Sequence, residues 1–88
     1  MAWTIELLDT ARRDLRKLDR QIAKRIGDFL FHRVASLENP RDMGDALTGP
    51  LRKYWRYRVG DYRVVCRIED DRLLVLVVRI GHRSEIYR

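Results

Sequence analysis

The stretch "KYWRYRVGDYRVVCRIEDDRLLVLVVRIG", residues 53–81, decides the fold of this 88-residue chain. Trp55, Tyr57 and Val59 alternate with Tyr54, Arg56 and Arg58, and a period of two is the signature of a strand with one buried face. Gly60-Asp61 then reads as a hairpin turn. A second strand follows in which Tyr62, Val64, Cys66 and Ile68 oppose Arg63, Val65 and Arg67. Asp70-Asp71 turns the chain into Leu73–Ile80, a continuous apolar run expected of a central strand covered on both faces. Gly81 is expected to end it and release a short tail.

Upstream the period changes. Trp3 to Leu8 (WTIELL) predicts a first strand, and Asp9 or Thr10 offers a side-chain oxygen to cap a helix. Ala11, Leu15 and Leu18 share one face of that helix. Asp19 is placed to cap a second, whose apolar positions Ile22, Ile26, Phe29, Leu30, Val34 and Leu37 follow helical spacing. Asn39-Pro40 is expected to stop it, and residues 40–50, with Gly44 and Gly49, form a connection. The expectation is an α+β fold of order β-α-α-β-β-β. Two N-terminal helices cover one face of a mainly antiparallel four-stranded sheet, and residues 1–88 make one domain.

Composition narrows the function. The longest apolar run is too short to span a bilayer, and the start lacks the basic and apolar regions of a signal peptide. Cys66 is the only cysteine, which excludes an internal disulfide and fits a reducing cytoplasm. The net charge is +6. Residues 1–50 carry nine Lys/Arg against eight Asp/Glu, and residues 51–88 carry ten against five. The excess positive charge therefore lies in the second half, where it suits a polyanion such as nucleic acid or an acidic partner.

Metal and nucleophile chemistry find little support. Glu69-Asp70-Asp71 sits in a predicted turn, where aspartates are ordinary. His32 and His82 are far apart, and no Cys/His spacing matches a zinc site. His32 reads as a partly buried helix residue and Cys66 as inert packing. No phosphate-cradling glycine loop is present, and Ser84 beside His82 lacks a nucleophile-elbow pattern. No metal and no cofactor are expected. What remains is a basic set, Arg56, Arg58, Arg63, His82, Arg83 and Tyr87, in which Arg56 and Arg58 project from one strand face and arginine is suited to gripping phosphate through paired N–H bonds.

With those residues in view, the chain resembles the RelE/ParE superfamily of type II toxin–antitoxin toxins, on its RelE branch. "LRKLDRQI", "LENPR" and above all "WRYRVGDYRVVCRI…VVRIGHRSEIY" carry the resemblance across the whole chain. It implies a metal-independent, ribosome-dependent mRNA endonuclease that acts in the A site, arrests translation in the cytoplasm and is restrained by a RelB-like antitoxin. The site residues it implies are Arg58, Arg63, His82, Arg83 and Tyr87, with Arg56, Tyr54, Lys53 and Arg52 along the RNA. Arg56 and Arg58 stand where the founding member has lysines, and its tail arginine corresponds to His82 or to Arg83. Cleavage would follow attack of a ribose 2′-OH on its neighbouring phosphate, which needs a base, a group at the leaving oxygen and cations on the phosphoryl oxygens. Tyr87 is the candidate base and His82 its rival as base or acid. Tyr54 or Tyr57 would stack on a base, Tyr57 being also a core position. The other readings are a ParE-like gyrase poison and a non-catalytic RNA- or antitoxin-binding module.

Overall fold

The computed structural model describes residues 3–87. The first strand, β1 (Thr4–Leu7), leads into helix α1 (Asp9–Lys17) and helix α2 (Arg20–Asp28). The chain continues through β2 (Asp45–Ala46), β3 (Trp55–Val59), β4 (Tyr62–Glu69) and β5 (Leu74–His82). The sheet has five strands in the order β1-β5-β4-β3-β2, one more than expected. The addition is the two-residue β2, which pairs antiparallel with β3. Among the described residues β1 runs parallel to its neighbour, β5, and the remaining pairs are antiparallel.

The period-two reading of β3 and β4 places their faces as expected. Tyr57, Val59, Val64 and Cys66 are buried with Ile26, Leu30 and Val34 beneath the helices, and Ile5, Val75 and Val77 join them from β1 and β5. Arg56 and Arg58 project from the other face, as the alternation along β3 requires. Gly60 at φ 60 opens the two-residue hairpin between Val59 and Tyr62. A glycine there supplies the positive φ that the first turn position demands.

Tyr57 is fully buried, and its hydroxyl donates to the Pro40 carbonyl at 2.6 Å. Its ring meets Phe29 edge-on, at 5.7 Å between centroids. Tyr57 is thus a core residue. Cys66 is also buried, and burial pushes its thiol well above the ordinary range, so packing is its role.

Several boundaries differ from expectation. Leu8 stands at the N-cap of α1 with no side-chain bond, Asp9 lies in the first turn, and the Thr10 hydroxyl donates instead to the Val78 carbonyl at 2.8 Å. β1 is shorter than β5, and α1 serves the uncovered part of β5. Asp14 Oδ2 accepts from the Ile80 N–H at 3.0 Å and from Arg79 Nε at 2.8 Å. Asp19 caps α2 as expected, accepting from the Gln21 N–H.

The second helix does not run as α-helix to Leu37. It widens into a π turn at Phe29–Arg33 and ends in a 3-10 turn at Val34–Ser36. Buried Ile26, Leu30 and Val34 are four apart, a spacing that drifts around a helix of about 3.6 residues per turn. The wider turn returns Val34 to the sheet. His32 is exposed there, not partly buried, with Nε2 3.9 Å from Asp28. Gly81 does not end the last strand, which reaches His82.

Candidate functional site

The outer face of the sheet is covered only in part. Leu47, Val65 and Ile86 form a small second cluster there, with Tyr54 packed against it. Ile86 arrives because the tail folds back. Glu85 and Ile86 both donate their backbone N–H to the His82 carbonyl, at 2.9 and 3.0 Å. Ile86 settles over Gly81, where even a Cβ would lie 3.2 Å from its Cδ1. The absent side chain at Gly81, inside β5 rather than after it, makes room for this return.

The return delivers Tyr87 to Arg56. Arg56 Nη1 donates to the Tyr87 hydroxyl at 3.3 Å, while its Nε and Nη2 engage the Asp45 carboxylate. Arg58 Nη2 lies 3.9 Å from the same carboxylate. Arg63 is the cross-strand partner of Arg58, and its guanidinium donates to the Gly60 and Tyr62 carbonyls, both at 2.9 Å. Arg83 closes the hairpin end, donating its N–H to the Asp61 carbonyl at 2.8 Å with its guanidinium 3.9 Å from Asp61 Oδ1. Arg56 and Tyr87 therefore touch, Arg58 and Arg63 lie on the same face toward the hairpin, and Arg83 sits at the hairpin end. Arg52 and Lys53 are exposed just before β3, and Tyr54 is half-buried against Val65 and Ile86.

Asp45 was not among the expected site residues. Hydrogen bonds from Arg56 hold its carboxyl below the ordinary range, reinforced by the charges of Arg56, Arg58 and Arg63. In return Asp45 and then Tyr87 stabilise the Arg56 guanidinium. Its neighbour Gly44, at φ 80, packs on β3 so closely that a Cβ would collide with the Arg56 carbonyl oxygen and approach Trp55 Nε1 to 2.7 Å. The only sequence signal for this arrangement was Gly44 itself.

His82 stands apart. It pairs with Tyr62, and their rings meet edge-on at 5.5 Å between centroids. That is the helix-covered side, where Asp14 and Lys17 of α1, Leu18 just after it and Glu85 of the tail line a cavity with it. The cause is a bulge: Val65 pairs with Arg79 and Cys66 with Val77, which leaves Val78 as the extra residue. Beyond a bulge the alternation of faces is reversed, so Ile80 and His82 turn inward.

These features can be set against known proteins. The family model for the ParE toxin of type II toxin–antitoxin systems matches residues 5–87. The chain belongs to the RelE/ParE superfamily of toxins. This type II toxin is 35% identical over 88 residues to toxin RelG of Mycobacterium tuberculosis, covering all of this chain and 99% of that one. To toxin RelE of the same organism it is 37% identical over 84 residues, 96% of this chain and 84% of the relative. The mRNA interferase toxin RelE of Escherichia coli is 30% identical over 90 residues, 99% and 92% of the two chains. In structure the toxin superposes on a chain of the RelBE2 toxin–antitoxin complex of M. tuberculosis with a TM-score of 0.87 at 32% identity, covering 97% and 95%. Among the described residues no helix is long and apolar enough to cross a membrane.

Proposed function

We propose that this toxin is a ribosome-dependent mRNA endonuclease that cuts mRNA in the A site without a metal and so arrests translation in the cytoplasm. The observation that carries the reading is the contact between Arg56 and the Tyr87 hydroxyl, on a face that also holds Arg58 and Arg63. Arg58 and Arg63 would grip the non-bridging oxygens of the scissile phosphate, where charge gathers as the reaction proceeds, with Arg83 joining from the hairpin end. Tyr87, acting as the phenolate with the Arg56 guanidinium at its oxygen, would take the proton of the 2′-OH and become the neutral phenol. The bond from O2′ to phosphorus forms as the bond from phosphorus to O5′ breaks. The 5′-oxygen takes a proton from solvent, leaving a 2′,3′-cyclic phosphate and a 5′-hydroxyl. Arg52, Lys53 and Tyr54 would meet the adjoining RNA. His82 lies across the sheet from these groups and is given no proton-transfer step.

The name of the E. coli relative, mRNA interferase toxin RelE, agrees with this reading. The RelBE2 toxin–antitoxin complex of M. tuberculosis, by likeness, supports a RelB-like antitoxin as the restraining partner. A second reading, a ParE-like poison of DNA gyrase acting through protein contacts, draws on the description of the matching family model. Induction of the toxin with parallel measurement of translation, mRNA ends and plasmid DNA separates the two. Truncated mRNA with intact plasmid is the expected result. Intact mRNA with accumulating cleaved DNA would reject the nuclease.

A further inference from the structure

The groups around His82 suggest a task other than proton transfer. The Ser84 backbone N–H points at His82 Nδ1 over 3.2 Å, and Ser84 Oγ lies 2.8 Å from the same nitrogen. A backbone N–H only donates, so Nδ1 is the acceptor in this contact and the ring hydrogen belongs on Nε2. The Ser84 hydroxyl then donates as well. This closes the start of the tail turn. The His82 carbonyl closes the rest of it through the N–H groups of Glu85 and Ile86, which seats Ile86 in its cluster beside Val65 and brings Tyr87 to Arg56.

We propose that His82 is a positioning residue: the acceptor at Nδ1 fixes the turn through Ser84, and the turn fixes where the Tyr87 hydroxyl stands relative to Arg56. The activity half of this inference rests on the nuclease reading given above, but the positional half does not. Asn and His differ usefully at this site. Asn carries a side-chain acceptor, Oδ1, at the same reach as Nδ1 but has no titrating group. Ala has neither.

The test compares the whole toxin with H82N and H82A, using tyrosine ring NMR signals without RNA and mRNA cleavage on ribosomes. The signals of buried Tyr57 report that each variant is folded. In H82A the Tyr87 signals should move toward those of a tyrosine without the Arg56 contact, and cleavage should fall by about 10²-fold, the scale of an ångström's misplacement at a reacting centre. In H82N both should return to near wild type. Tyr87 signals unmoved in H82A would overturn the proposal. So would an H82N as inactive as H82A with Tyr87 in place, since that result would make the imidazole a participant in the reaction. If the wild-type toxin cuts no mRNA, the nuclease reading fails, while the ring signals still decide the positioning role.

Discussion

Replacing Asp45 with Asn keeps the size and one acceptor of the side chain while removing its charge. In the free toxin that carboxylate engages Arg56 through two bonds and lies 3.9 Å from Arg58 Nη2. Under the proposed nuclease reading it would therefore compete with an RNA phosphate for the same guanidinium groups. Two unit charges at ~4 Å interact by ~1 kcal/mol in water and ~4 kcal/mol at an effective dielectric of ~20. The Asp45 side chain is 44% exposed, so solvent screening favours the lower figure. Asp45→Asn should then tighten RNA binding by about 1 kcal/mol, or about fivefold. It should also add one phosphate contact, steepening the plot of log affinity against log salt by about 0.7 for a single strand. Fluorescence anisotropy with a 2′-O-methyl RNA, which cannot be cut by 2′-OH attack, measures both between about 50 and about 200 mM salt. An unchanged or weakened affinity would refute the competition and show that Asp45 holds Arg56 in its binding posture.

Asp45 also carries a pH signature. Its folded pKa lies below the unfolded value of about 3.9, so the stability it contributes is present above that value and is lost as pH falls through the folded one. The difference in urea midpoint between wild type and Asp45→Asn should therefore shrink from about pH 6 to about pH 3, and a constant difference would contradict the assignment. Tyr57→Phe removes the hydroxyl that donates to the Pro40 carbonyl at 2.6 Å. A loss of about 1–3 kcal/mol, with a Tm lower by roughly 4–8 °C per kcal/mol, should appear by calorimetry. Gly44→Ala forces a Cβ against β3 at φ 80 and should cost about 1–3 kcal/mol. It should also disturb the Asp45–Arg56 pair, visible as altered salt dependence of RNA binding.

The legible parts of this molecule are those whose side chains alternate. Arg56 and Arg58 against Tyr57 and Val59 fixed one strand and its faces, and Gly60-Asp61 fixed the hairpin that sets Arg63 across from Arg58. Asp45 was invisible because β2 is two residues long within an irregular Gly/Pro segment, and it exists only through pairing with Arg56 and Trp55. The place of His82 was hidden for a different reason. "VLVV", residues 75–78, is apolar throughout, so no alternation marks Val78 as the bulged residue that reverses the faces beyond it. The helix boundary at Leu8 depended on Thr10 reaching the Val78 carbonyl, a contact 68 residues away in sequence. Long-range partners decided each of these, and local pattern carries no record of them.

In the proposed reaction, arginines and one tyrosine on a single sheet face drive attack by the ribose 2′-OH. Mapping the ends of mRNA cut on purified ribosomes by wild-type toxin and by Tyr87→Phe tests it most directly. The expected result is 2′,3′-cyclic phosphate and 5′-hydroxyl ends from the wild type, with cleavage about 10²-fold slower or more for the variant. Ends bearing a 5′-phosphate, or equal rates for the two proteins, would contradict it.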